Sequence, residues 1–246
     1  MKKQVIFSII LLCLSVFPAH AQDLVIAVDN ANPPFMYNDG GKAAGLYPEM
    51  LTAIFSKMNV PVTVSAYPWK RVLKMGKDGD AGIGGIYKNP DRLKIFDYSD
   101  PIFSERLVLF INKDKAFEYS GVKDLSGKKV GILLGWSYGT YFDEAKAQKA
   151  FTAEEGKSDE VNFKKLTQGW LDGVVAIELA GQKLIAQKGL QDKIIMAETP
   201  VAINDTYLVF AKNQDKTSLL TQFNTALAGM KADGSYDGII KGVVSN

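Results

Sequence analysis

The chain has 246 residues, with 29 Lys and Arg against 27 Asp and Glu, one His, one Cys and a formal net charge of +2 at pH 7. A balance so close to neutral offers no basis for a nucleic-acid or polybasic membrane surface, and the 47% apolar share is ordinary for a globular α/β protein. The lone His20 and the lone Cys13 both fall within the first 21 residues.

Those residues read as a secretory signal peptide: Lys2 and Lys3, an apolar run from Val5 to Phe17, then the small-x-small site Ala19-His20-Ala21, with cleavage after Ala21. The run is too short to span a bilayer. Cys13 follows Leu12 rather than a small residue, so no lipid anchor is expected. Export through the inner membrane and cleavage would leave a periplasmic chain without Cys or His. That excludes disulfides, zinc held by thiolate or imidazole, cysteine nucleophiles and histidine-based triads. It would also be neutral, since 29 basic residues minus the two lysines leaves 27 against 27 acids.

Along the remaining chain, Leu24 to Val28 is expected as a buried strand and Pro48 to Met58 as a helix, with Met50, Leu51, Ile54, Phe55 and Met58 on one face. Val62 to Ala66 predicts a second strand, Trp69 to Lys77 a short helix, and Asp80 to Ile83 a third strand ending in the pair Gly84-Gly85. Alternation of strand and helix predicts a mostly parallel sheet. After the strand, Asn89-Pro90-Asp91-Arg92 forms a proline-started turn, and Phe96-Asp97-Tyr98-Ser99-Asp100-Pro101 an aromatic, acidic loop. Arg106 to Lys113 reads as a long strand. The pattern then restarts with a strand at Lys129 to Leu133, helices at about Tyr138 to Lys149 and near Phe163 to Trp170, and a strand at Gly173 to Ile177. Thr206 to Lys212 answers the long strand, and Lys216 to Lys231 is a periodic helix. Two long strands crossing between two halves would form a hinge, with a ligand cleft between the lobes. The expected division is 23–112 with 205–246 as lobe one and 113–204 as lobe two.

Arg92 on its turn is well placed to grip a carboxylate, because a planar guanidinium offers two parallel donors. The order Gly79 to Arg92, then Phe96 to Pro101, resembles the periplasmic solute-binding proteins of the polar amino acid uptake family (family 3, substrate-binding proteins of ABC transporters). Gly45-Leu46-Tyr47-Pro48-Glu49, Gly169-Trp170-Leu171-Asp172 and Lys231-Ala232-Asp233-Gly234 extend the likeness over nearly the whole mature chain. The resemblance implies a two-lobed α/β fold of type II that closes by a hinge on a small carboxylate-bearing, anionic or zwitterionic solute. It implies a monomer without cofactor that delivers the solute to the permease of an ATP-driven importer or, alternatively, signals to a membrane receptor. It also implies that Arg92 clamps the ligand's carboxylate.

On that resemblance, a second clamp would come from Gly135-Trp136-Ser137-Tyr138, where amides at a helix start and the Ser137 hydroxyl favour an anion. Ser137 is equally readable as a plain helix cap. Trp69 stands where the family places an aromatic against the ligand, or is a core residue at a helix start. Asp29 and Asn32 lie on the loop after strand one, which would face the cleft, and Gly85 and Tyr87 lie just before the turn. Tyr87 replaces a small hydroxyl residue. Ile177 stands where an amino acid binder carries a carboxylate for the ligand's ammonium, leaving Glu178, one position on, as a substitute. The loss predicts poor binding of small α-amino acids. The same fold also hosts cyclohexadienyl dehydratases, for which Glu178 would be the acid, but its spacing from Asp172 does not match.

Overall fold

The computed structural model describes residues 24–244, so the expected signal peptide lies outside the described residues. In chain order the elements are β1 (Leu24–Asp29), β2 (Ala31–Asn32), β3 (Met36–Asp39), β4 (Lys42–Ala44), α1 (Leu46–Lys57), β5 (Val62–Tyr67), α2 (Trp69–Asp78) and β6 (Gly82–Tyr87). There follow α3 (Pro90–Ile95), β7 (Phe96–Tyr98), β8 (Phe103–Asn112), β9 (Lys129–Leu133), α4 (Thr140–Ala147), β10 (Thr152–Gly156), α5 (Asp159–Thr167) and β11 (Gly173–Ile177). The chain closes with α6 (Glu178–Lys188), β12 (Ile194–Met196), β13 (Ala202–Ala211), α7 (Thr217–Asp233) and α8 (Ser235–Val244).

One sheet runs through the molecule in the order β10-β9-β11-β8-β13-β6-β1-β5. Its two wings are parallel, β5-β1-β6 and β10-β9-β11, and between them β8 and β13 run antiparallel to each other and to their outer neighbours. The expected parallel sheet therefore holds for the wings only. The two central strands change partner midway. Phe103 to Leu107 pairs with Thr206 to Ala202, whereas Leu107 to Ile111 pairs with β11 and Thr206 to Val209 pairs with β6. Each long strand thus belongs to one wing at one end and to the other wing beyond the switch, the geometry a two-strand hinge requires.

Each wing has its own helices. Phe55 of α1 packs on Phe223 of α7 with ring centroids 5.5 Å apart, and the apolar stripe of α7 (Leu220, Phe223, Leu227, Met230) is buried. On the other wing Phe110 and Phe163 stand 5.1 Å apart in a separate apolar cluster with Val108, Leu166 and Val174. A small antiparallel sheet, β2-β3-β4, covers the start of α1. There Gly45 has φ +103, and a Cβ would fall 2.5 Å from the Pro34 carbonyl oxygen. The amides of Leu46 and Tyr47, which lack intrahelical partners, donate to the Pro34 and Phe35 carbonyls at 3.1 and 2.9 Å. That contact fixes the loop carrying Asn32.

Several boundaries differ from the expected ones. β6 does not end at Gly84-Gly85; it continues to Tyr87, with Gly85 at φ +75 and a register shift opposite Tyr207/Leu208. A Cβ on Gly85 would meet Tyr47 Cδ2 at 2.8 Å, so glycine lets the strand pass over that ring. Asn89-Pro90-Asp91-Arg92 is the start of a helix rather than a bare turn: Asn89 Oδ1 accepts from the Arg92 amide at 2.8 Å, and Pro90 occupies the first turn. α4 begins at Thr140, two residues later than expected.

Candidate functional site

Six of the expected residues, Trp69, Gly85, Tyr87, Arg92, Trp136 and Ser137, surround one small cavity. Trp69 opens α2, Arg92 lies in the first turn of α3 and Trp136 is on the loop after β9, so the cavity is walled from both wings. Arg92 is only 8% exposed. Its Nη1 donates to the Tyr87 carbonyl at 3.0 Å, and its guanidinium carbon stands 5.7 Å over the Trp69 ring. Among the described residues no carboxylate lies within ion-pair distance of it. Burial pulls its pKa down, opposed by the nearby Tyr98, Asp143 and Tyr87. A buried cation without an acid partner is costly unless an anion joins it.

The wings touch directly here. Trp69 Nε1 donates to the Gly135 carbonyl at 3.1 Å, and Trp136 Nε1 donates to Asp29 Oδ2 at 3.0 Å. Trp136 stands 6.0 Å from Trp69 and lies edge-on to Tyr87 at 6.1 Å. The space left is about 10 Å³, room for one water at most. The conformation is closed, with the Trp136 indole filling the cleft; a solute would enter only after this loop or the wings withdraw.

Asp29, at the end of β1, is buried and linked to the cluster through Trp136; burial raises its pKa, while the Trp136 indole and the amides of Ala31 and Asn30 pull it back. Asn32 is 1% exposed, and neither of its amide atoms has a hydrogen-bond partner. The loop 135–138 differs from the expected anion clamp. The Ser137 hydroxyl donates to Asp143, and the amides of Trp136 and Tyr138 are taken by the Leu133 carbonyl (3.2 Å) and Asp143 Oδ1 (3.0 Å). Asp143, in the first turn of α4, thus occupies the donors an anion would use. Glu178 lines no cavity with these residues: its Oε2 accepts from Arg106 Nη1 at 2.8 Å. Ile177 before it is buried in the core.

Two buried acids escaped the sequence. The Tyr87 hydroxyl does not face the cavity but donates to Glu105, as does that of Tyr47. Glu105, fully buried at the start of β8, has its pKa pushed up to about 7 by burial, with the two tyrosine hydroxyls opposing the shift. Strand alternation could have found it, because Glu105 is in phase with the inward Leu107, Leu109 and Ile111. Asp159, the first residue of α5, is likewise buried.

Two α/β wings, two crossing strands and a buried cation between the wings define a hinged binding protein of the periplasmic type II class. The sequence profile of the bacterial extracellular solute-binding proteins, family 3, matches residues 24–244, and the chain belongs to that family. It is similar to the L-cystine-binding protein TcyJ of Escherichia coli, 22% identical over 88% of this chain and 80% of the relative. It is similar also to ABC transporter arginine-binding protein 1 of Escherichia coli, 23% identical over 96% and 97%. A histidine kinase sensor domain with similarity to periplasmic binding proteins shares the fold at a TM-score of 0.80, with 22% identity over 90% of this chain and 96% of that one.

Proposed function

We propose that this protein captures a small carboxylate-bearing solute between its two wings in the periplasm and delivers it, as a monomer, to the permease of an ATP-driven importer. The observation that carries the proposal is Arg92, a buried guanidinium that lines a small aromatic cavity and has, among the described residues, no carboxylate within ion-pair distance. Both its own charge and its two-pronged donor geometry suit a carboxylate. Trp69, Trp136 and Tyr87 would cover the apolar body of the solute. Residues 24–106 with 206–244, and 107–205, would move as the two lobes, the hinge lying where β8 and β13 change partners.

The proposal treats the protein as a binder rather than an enzyme. The acid suggested for a dehydratase, Glu178, is held by Arg106 outside the cavity. With Ile177 apolar and Glu178 engaged, the wing carrying β11 offers no carboxylate for an ammonium on the carbon next to the ligand's acid, so small α-amino acids should bind poorly. The reading agrees with the amino acid ligands in the names of its relatives in requiring a carboxylate, and departs from them in where the cation sits. A thermal-shift screen tests it, run on protein unfolded and refolded to strip bound solute, with organic acids and amino acids side by side. Stabilisation by carboxylates lacking an α-ammonium supports the proposal, and tight binding of glycine, alanine or serine contradicts it.

A further inference from the structure

Glu105 is a buried acid bonded to the wall of the site. It is 2% exposed, and among the described residues it forms no ion pair. The Tyr47 hydroxyl donates to its Oε1 and the Tyr87 hydroxyl to its Oε2. A carboxyl whose burial is offset by two hydroxyls alone is a costly way to fill an apolar core, where leucine would serve. What it contributes has to lie in what it holds.

Tyr87 needs holding. In β6, Gly84 pairs with Leu208 and Ile86 with Tyr207, so Gly85 is an extra residue in the strand. The bulge gives Tyr87 the side-chain phase that Ile86 would otherwise have. Its ring walls the cavity, edge-on to Trp136 at 6.1 Å, and its carbonyl accepts from Arg92 Nη1 at 3.0 Å. A phenol hydroxyl accepts as well as donates. Turned into the cavity, it would compete for the Arg92 donors and fill the remaining space of about 10 Å³. Glu105 prevents this from a fixed place: it pairs with Asn204 on β13, two residues before Leu107, where β8 changes partner.

We propose that Glu105 is a positioning residue of the solute site: through the Tyr87 hydroxyl it keeps the phenol out of the space beside Arg92 and sets the ring as a wall for the apolar body of the solute. The proposal rests on the reading of Arg92 as the carboxylate clamp and deepens it. Glu105, Tyr47 and Tyr87 all belong to the wing that carries Arg92. The wall is therefore in place before the wings close, and no binding free energy goes into ordering it. Tyr47 shares the carboxyl but does not line the cavity. Its hydroxyl ties α1 to β8 and has no bearing on the solute.

The test uses the mature protein refolded without solute, at pH 6, with two readouts. The first needs no solute: the indole N–H signals of Trp136 and of Trp170, which is 64% exposed and outside the cavity, in a nitrogen–proton correlation spectrum. Glu105→Leu should shift the Trp136 signal and leave that of Trp170, whereas Glu105→Gln, whose amide satisfies both hydroxyls, and Tyr47→Phe should leave both. The second readout is calorimetric titration with 3-phenylpropionate, a carboxylate with an apolar body and no ammonium. Glu105→Leu and Tyr87→Phe should each weaken binding about tenfold, and the double variant no further. Glu105→Gln and Tyr47→Phe should stay within about threefold of the parent. Should Glu105→Leu not fold, Tyr87→Phe and Tyr47→Phe carry both readouts, since each removes one hydroxyl from the same carboxyl. A parent that ignores 3-phenylpropionate, or an Arg92→Ala variant that binds it as well, goes against the carboxylate clamp and leaves Glu105 to be judged by the indole signals. An unmoved Trp136 signal in Glu105→Leu, binding by Tyr87→Phe no weaker than by Tyr47→Phe, or Glu105→Gln as weak as Glu105→Leu overturns the proposal.

Discussion

Glu105→Gln should make the protein more stable relative to its parent as the pH rises from 4.5 to 8. Glu105 is wholly buried, and its pKa stands at about 7 in the folded protein against an ordinary 4.5. Below pH 4.5 the carboxyl is protonated in both folded and unfolded chains, and its contribution to stability is fully present. Between 4.5 and about 7 the unfolded chain gives up the proton while the folded one keeps it, so stability falls; above that it is level. A gap of roughly 2.5 units at 1.36 kcal/mol each comes to about 3 kcal/mol. Glutamine is nearly isosteric, keeps an oxygen to accept from Tyr47 or Tyr87, and does not titrate. Asp29 and Asp159, also raised by burial, are present in both proteins and cancel in the difference. Urea unfolding of parent and variant at pH 4.5 and pH 8 measures it. The difference between the two proteins should shift by about 3 kcal/mol in favour of the variant between these pH values. Curves that stay parallel would show that Glu105 is ionised in the folded state, and that the hydroxyls of Tyr47 and Tyr87 outweigh its burial.

Other substitutions separate structural from binding roles. Gly85→Ala places a Cβ 2.8 Å from the Tyr47 ring at φ +75 and should lower stability by about 1–3 kcal/mol, read as a drop in unfolding midpoint; an unchanged midpoint would mean that the strand relaxes freely. Glu178→Gln breaks a half-exposed ion pair with Arg106, so it should cost less than about 1 kcal/mol and leave solute affinity unchanged by calorimetry; a large affinity loss would return Glu178 to the site. Trp136→Ala removes the indole that fills the cleft and bonds Asp29. It should increase the solute-free radius of gyration by small-angle scattering, and equal radii would mean that closure does not depend on this contact.

Legibility of the fold followed the strength of the local pattern. β9 and β11 begin and end where their apolar runs do, and α1 and α7 announce themselves by a one-sided stripe. β10 did not: Thr152–Gly156 is too polar to read as a strand and forms only because β9 lies beside it. α6 starts directly at the end of β11 with no capping side chain, so no break in the sequence marks it. The site was legible where chemistry sits on punctuation, as with Arg92 after Asn89-Pro90, because turn residues fix where a side chain emerges. It was illegible for the acids that the fold buries or engages. Asp159 looks like any helix-start acid, and Asp143 looks like a surface residue until its bonds to Ser137 and Tyr138 are seen. Such placement is decided by how the loop after β9 folds back on α4 and by the packing around the start of α5, neither of which leaves a periodic signal in the sequence.

The claim on which the rest depends is that Arg92 holds the carboxylate of the solute. Its most direct test is calorimetric titration of parent and Arg92→Ala with whichever carboxylate stabilises the parent most in the thermal-shift screen. Removing one side of a buried charge pair costs about 2–5 kcal/mol, so affinity should fall roughly thirtyfold to several-thousandfold. The solute-free variant should remain folded, because among the described residues no acid loses its ion-pair partner. An affinity within threefold of the parent would contradict the account.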